Sequence, residues 1–288
     1  MGLLKTMRPR QWTKNGFVFV ALFFDGQLLS AVSLARTLMA FALLCLMSSA
    51  VYIMNDLVDI ESDRQHPTKR KRPLPSGQLS PTTARIASIV FALGSLVAGF
   101  LLSVEFGFIL LAYLVIQIAY TFWLKHVVLL DVSIIAAGFV LRIAAGVTII
   151  DVQRFSPWLY VFGGFLALFL ALGKRRHELS LLGENARSHR AILEEYNLNL
   201  IDRLLDTVTT SAIVSYSLYT FLADGLPENH SMMLTVPFLM YGVFRYLYLI
   251  HVRNEGGAPE EILLRDRPFQ ITIALFGMVA FIALYIIA

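Results

Sequence analysis

The chain carries a single cysteine, Cys45, inside an apolar run. One thiol excludes an intrachain disulfide and any metal site built from cysteine pairs. Charge is scarce: Asp, Glu, Lys and Arg make up 15% of the 288 residues, against about 25% in ordinary globular chains. No low-complexity tract and no polar linker interrupts the chain, so residues 1–288 read as one domain. The basic start MGLLKTMRPRQWTKNG leads into an apolar segment with no small-residue cleavage site. It reads as an uncleaved N-terminus rather than a signal peptide. No nucleophile–base pair stands out, and His66, His126 and His177 read as solvated or structural loop residues.

What is abundant is apolar surface: 57% of residues are hydrophobic and the mean hydropathy is +0.67. A helical span needs about 20 mostly apolar residues. Nine segments qualify: 12–32, 37–55, 86–104, 106–124, 132–150, 155–173, 207–223, 231–250 and 269–288. The first is the weakest, interrupted by Asp25 and Gly26. The expected fold class is an all-α integral membrane protein of nine transmembrane helices. With alternating sides, all but four of the 24 Lys and Arg residues fall on one face of the membrane. Arg36 and Arg154 lie opposite, and Arg142 and Arg245 lie inside spans. The positive-inside rule makes the rich face cytoplasmic, N-terminus included. The net charge of +4 thus follows membrane orientation and does not argue for nucleic acid. In 184–206, Ile192, Leu193, Tyr196, Leu200 and Ile201 recur at roughly helical spacing, which predicts an interfacial amphipathic helix. Spans two and six both end in charged loops, an echo that suggests two four-helix halves and a closing ninth helix.

The second span ends in NDLVDIESDRQHPTKRKRPLPSG. At about 100° per residue, Asn55, Asp59, Asp63 and Asp56 fall near 0°, 40°, 80° and 100°, on one helix face. Hard oxygen ligands packed this closely suit Mg²⁺, which usually takes one or two carboxylates plus substrate phosphates. Pro73 and Pro75 stiffen the following loop and Gly77 permits a tight turn. That loop could carry Arg64, Lys69 and Arg72 toward phosphate.

The spacing NDxxDxxxD followed by RPLPSG resembles the first motif of the UbiA superfamily of intramembrane prenyltransferases. The resemblance implies a helical bundle around a central cavity open to the cytoplasmic side, in which Mg²⁺, with Mn²⁺ as a possible substitute, holds a substrate diphosphate. It implies metal ligation by Asn55, Asp56, Asp59 and Asp63, with Asp56 and Asp59 catalytic. The family's second Asp-rich motif is missing after span six. GKRRHELSLLGE stands there instead, with Lys174, Arg175, Arg176 and Glu178. Arginine forks and lysine point charges suit phosphate oxygens, although such a run also serves as a positive-inside stop signal. Together with RPRQWTKN near the N-terminus, this pattern is similar to the superfamily branch that moves 5-phosphoribose from 5-phosphoribosyl 1-diphosphate (PRPP) to a polyprenyl phosphate of decaprenyl type. The implied enzyme is a Mg-dependent glycosyltransferase of the bacterial inner membrane, releasing diphosphate and feeding cell-wall arabinose donors. The lipid phosphate is already an anionic nucleophile, so no general base is needed.

Arg8, Lys14 and Asn15 are expected to reach the lipid phosphate, with interfacial anchoring as the competing role for them and for Trp12, and substrate contacts are expected at Tyr120, Lys125 and Asp131 on the turn after span four. Arg142, deep in a span, reads either as a cavity or phosphate contact or as a buried ion pair. Tyr196, Asp202 and Asp206 flank span seven, as substrate contacts, a second metal site or helix-terminus charges. Two rival functions stand: an aromatic prenyltransferase using a polyprenyl diphosphate, which the missing aspartates disfavour, and a secondary transporter, which charges gathered at one end disfavour.

Overall fold

The computed structural model describes residues 2–152, 156–182, 191–253, 255, 262 and 265–287. These are mostly helical, with no strand among the described residues. A short helix α1 (Gly2–Thr6) leads to a 3-10 helix, Pro9–Val18, and to α2 (Phe19–Phe24). The longer elements are α3 (Ala31–Val58), α5 (Pro81–Leu102), α6 (Val104–Phe122), α7 (Leu130–Val147), α8 (Pro157–Leu182), α9 (Leu198–Leu222), α10 (Val236–His251) and α11 (Arg267–Ile282). Between α3 and α5 sits α4 (Ile60–Gln65).

Seven of these helices, α3, α5, α6, α7, α8, α10 and α11, are long and apolar enough to cross a membrane. The chain is a multi-pass membrane protein by length and composition. The two expected spans outside the seven have physical reasons to differ. Residues 12–32 begin as a 3-10 helix and break after Phe24, where Gly26 takes a left-handed φ of 72°. α9 is continuous, but its first turns carry Asp202, Arg203 and Asp206 and a run of hydroxyl residues, which lowers its hydropathy.

Local signals start the helices. Ser30 and Ser80 cap α3 and α5 by accepting from Ser33 N and Thr83 N, and Asp266 caps α11 by accepting from Phe269 N at 2.8 Å. The exposed face of α5 is apolar, with Ile86, Ile89, Val90, Leu93, Val97 and Leu101 outward. A row of that kind suits lipid contact.

By contacts the chain divides into two units. The first comprises Met1–Phe23, Gln27–Phe122 and Leu141–Val152, and the second Phe24–Gly26, Trp123–Val140 and Gln153–Ala288. In the first, α3 packs on the 3-10 helix, α5 and α6. In the second, α8 pairs with α9 and α10 with α11.

The expected interfacial helix over 184–206 is corrected. Residues 183–190 lie outside the described ones. Ala191–Glu195 form a 3-10 turn, and Asn197 starts α9 afresh by accepting from Leu200 N at 2.8 Å. Ile192, Tyr196 and Ile201 join the core of the second unit rather than a lipid surface, and Leu193 is buried too. Leu200 alone of the five is exposed.

Candidate active site

The acidic stretch is built on an almost unbroken helix. α3 runs to Val58, Asp59 forms a one-residue hinge, and α4 resumes at once. Asp59 N donates to Asn55 O at 2.9 Å and Asp63 N to Asp59 O at 2.8 Å, so helical bonding carries through the hinge. Asp56 and Asp63 therefore stay close to one face, and both are buried.

The loop after α4 is held by its apolar residues. Leu74 is buried against Ile53, Leu79 and Ala84, with Leu3, Met7, Leu57, Ile60, Ala87 and Phe91 around them. Ser76 N bonds to Arg72 O and Leu79 N to Pro73 O, both at 3.0 Å, and Gly77 supplies the left-handed φ of 79° that closes the turn. The same apolar pad fixes two cations at once. Leu74 holds Arg72, two residues before it, and Met7 holds Arg8.

Arg72 Nη1 donates to Asp63 Oδ2 at 2.7 Å and to Asp56 Oδ1 at 3.2 Å. Arg8 pairs with the same Asp56 oxygen and lies over the Tyr52 ring, 5.2 Å from its centroid. Lys69 Nζ stands 3.7 Å from Asp63 Oδ1. Asn55 Oδ1 accepts from Thr121 Oγ1 at 2.5 Å. Arg64 pairs with exposed Glu61 at 2.7 Å. His66 Nδ1 lies 3.2 Å from Thr68 N, which makes it a turn-holding residue.

Deeper in the first unit, Arg142 Nε donates to Asn15 Oδ1 at 2.8 Å and Arg142 Nη2 to Tyr113 OH at 3.0 Å. The Asn15 amide donates in turn to Ser48 Oγ at 3.2 Å and Cys45 Sγ at 3.3 Å. Asn15 and Arg142 are both buried. Trp12 Nε1 donates to Ser49 Oγ at 3.1 Å, so this tryptophan is bonded to α3.

The second unit has its own polar cluster. Arg175 Nε donates to Asp131 Oδ2 at 2.8 Å, and Arg175 Nη1 to Glu178 Oε2 at 2.5 Å. Tyr196 OH donates to the other Asp131 oxygen at 2.6 Å and accepts from Leu129 N at 2.8 Å. Leu129 is a branched residue with a left-handed φ of 66°. Burial, helped by the bond to Asp131, pushes the Tyr196 phenol up to about 12. Arg176 Nε donates to Asp202 Oδ1 at 2.7 Å, and its Nη1 to Ile250 O at 3.1 Å. Arg245 forks onto Asp266 at 3.2 and 2.8 Å. The hydrogen bond from Arg245 holds the Asp266 carboxyl below its ordinary range.

Residues 16–261 match the family model described as the UbiA prenyltransferase family. The chain belongs to that family. Among UbiA relatives, a decaprenyl-phosphate phosphoribosyltransferase of Mycolicibacterium smegmatis is 34% identical, over 94% of this chain and 88% of that protein. One of the same name from Mycobacterium tuberculosis is 32% identical, over 94% and 90%. In fold, a UbiA homolog from Archaeoglobus fulgidus bound to GPP and Mg²⁺ superposes with a TM-score of 0.76 at 20% identity, covering 99% of each chain.

UbiA membership raises the question of a divalent cation, and the donors fit one. Asp56 and Asp63 are buried carboxylates whose oxygens both reach a single guanidinium nitrogen, and Asp59 sits between them at the hinge. Among the described residues no three His, Cys, Asp or Glu side chains are gathered tightly enough to cage an ion alone. Magnesium needs no such cage when substrate phosphates complete its shell.

The other expected residues are distributed as follows. Lys14 and Tyr120 are half-buried, Tyr120 on the last turn of α6. Lys125 lies in the turn Leu124–His126. Lys174 is exposed on α8. His177 is on the same helix, not in a loop, because α8 continues to Leu182 instead of stopping after span six. Sequence reasoning missed Thr121 and Tyr113, partners of Asn55 and Arg142. Both lie on α6, and no local pattern marks them.

Proposed function

We propose that this protein transfers 5-phosphoribose from PRPP to a polyprenyl phosphate of decaprenyl type, releasing diphosphate and feeding cell-wall arabinose donors. It is then a glycosyltransferase built on a prenyltransferase fold. The observation that carries the reading is the likeness, over nearly the whole length, to two relatives named for that activity. Residues 1–288 act as one enzyme domain. α9 and the α2 region supply the remaining two of nine crossings. The N-terminus and the acidic stretch face the cytoplasm at the bacterial inner membrane.

The proposed chemistry assigns each group a task. Asp56, Asp59 and Asp63, with Asn55, would hold Mg²⁺ or Mn²⁺. When bound, such an ion supplies neutralisation of the charge that builds on a departing diphosphate. Arg72 and Lys69 already stand at the buried carboxylates, within reach of phosphate arriving there. Positive groups placed before reaction are usually the largest catalytic contribution. A lipid phosphate oxygen attacks ribose C1, the C1–O bond to diphosphate breaks, and the centre inverts. Arg64, Lys14, Lys125, Lys174 and Tyr120 are proposed phosphate or ribose contacts. Arg142, Asn15, Arg175, Arg176, Glu178 and Tyr196 are proposed to hold those contacts in place.

Incubating the purified protein with radiolabelled PRPP and a polyprenyl phosphate tests the reading. Label is expected in the lipid phase with Mg²⁺ and lost on chelation. Absence of lipid label, with prenyl diphosphate instead labelling an aromatic acceptor, would overturn it.

A further inference from the structure

Three cations and two buried carboxylates meet at the end of α3, and their exposure is unequal. The Asp56 and Asp63 side chains are 4% and 2% exposed, whereas Arg8 and Arg72 are 31% and 32% exposed and Lys69 is 42% exposed. The carboxylates are packed in place, and the cations are the half that can move.

Arg8 is the cation with the most fixed base. Its φ of 54° and ψ of 63° put a non-glycine residue in the left-handed region, directly before Pro9. Such a conformation persists only where the surroundings impose it. Here Met7 packs into the apolar pad, Ser49 Oγ donates to Met7 O at 3.3 Å, and Gln11 N donates to Arg8 O at 2.8 Å. The backbone is clamped and the guanidinium is not. Its second neighbour, the Tyr52 ring, offers a cation a surface away from the carboxylate. If Arg8 left, Asp56 would still have Arg72.

Charge decides what such an arrangement favours. Asp56 and Asp63 already face Arg8, Lys69 and Arg72. A divalent cation arriving alone would meet carboxylates whose charge is already matched. One arriving with diphosphate brings the anion that the displaced cations need.

We propose that Arg8 is a diphosphate-binding residue stored on Asp56. Without ligand it is the counter-ion of that carboxylate, and it crosses to the diphosphate when Asp56 turns to the divalent ion. This rests on reading the acidic stretch as the diphosphate end of the site. It adds that metal and diphosphate bind with positive coupling, by the same factor in either direction, and that Arg8 transmits part of that coupling.

The test uses the full chain in detergent and Mn²⁺ as probe, with free Mn²⁺ read by electron paramagnetic resonance. Wild type is expected to bind Mn²⁺ weakly alone and more tightly with inorganic diphosphate. Arg8→Gln should tighten Mn²⁺ binding without diphosphate by about tenfold, a typical coupling factor. It should also weaken diphosphate binding at saturating Mn²⁺. Arg8→Lys should keep most of the wild-type coupling, and Arg10→Gln, at an exposed neighbour, should change neither affinity. Unchanged diphosphate affinity in folded Arg8→Gln would overturn the proposal while leaving the metal site standing. Failure of wild type to bind Mn²⁺ even with diphosphate would overturn both.

Discussion

The two units each hold a buried aspartate paired with arginine, and the pairs differ in one respect. In the first, Asp56 is buried while Arg8 and Arg72 are each about a third exposed. In the second, Arg175 is 2% and Asp131 0% exposed. A pair with an exposed partner can trade it for another ion at modest cost. A pair sealed on both sides cannot do so as cheaply, because each charge would lose its nearest compensation in a medium that does not solvate it. Under the proposed function, the difference separates the place assigned to ligands from a place where helices are tied together.

Three experiments can break that contrast. The largest expected effect is on turnover. Asp56→Ala should lower the phosphoribosyl transfer rate by at least about 10², roughly 3 kcal/mol of barrier. Thermal unfolding should move little, because Arg72 keeps Asp63. Wild-type turnover in Asp56→Ala would remove that carboxylate from the chemistry.

The second effect is on stability. Arg175→Met leaves Asp131 buried with a charge that, among the described residues, the Tyr196 hydroxyl alone addresses, and such a break costs about 3–5 kcal/mol. Asp131→Leu combined with Arg175→Met should recover most of that loss, as apolar replacements of buried pairs often do. A double variant no more stable than the single one, by thermal melt in detergent, would mean that the cluster does more than tie helices.

The smallest effect sharpens the contrast through pH. The Tyr196 phenol titrates near 12 when folded and near 10 when not. The folded state holds its proton longer, so its stability is intact below about 10 and falls as pH rises toward 12. Tyr196→Phe should remove that slope and cost about 1–2 kcal/mol at neutral pH, from the bonds to Asp131 and Leu129 N. A melt profile in the alkaline range identical to wild type would show that the phenol is not what titrates.

Much of the first region was legible because it is local. Asn55 to Asp63 span barely two turns, so helical spacing brings Asp56 and Asp63 to one guanidinium, and the proline and glycine of PLPSG announce their own turn. The partners were not legible in the same way. Arg8 reaches Asp56 across 48 residues, Arg175 reaches Asp131 across 44, and Arg142 reaches Asn15 across 127. No periodicity encodes such pairings. The basic run at Lys174 read as a helix end because charge usually marks the membrane boundary, yet α8 carries it two turns further by pairing Arg175 and Arg176 with acids. The apolar residues of 184–206 read as a lipid face for the same reason, since spacing does not say whether protein or lipid covers a stripe. The weakness of the first span was visible in Asp25 and Gly26, and the helix breaks there.

Cys45 has a practical bearing. It is the chain's sole thiol, buried in α3 where the Asn15 amide meets its sulfur. A maleimide or a nitroxide reagent in water has no native target to reach. A cysteine engineered at exposed Ser76 would therefore be tagged alone, and optical or spin reporters can track the loop without the scaffold first being stripped of reactive sulfur.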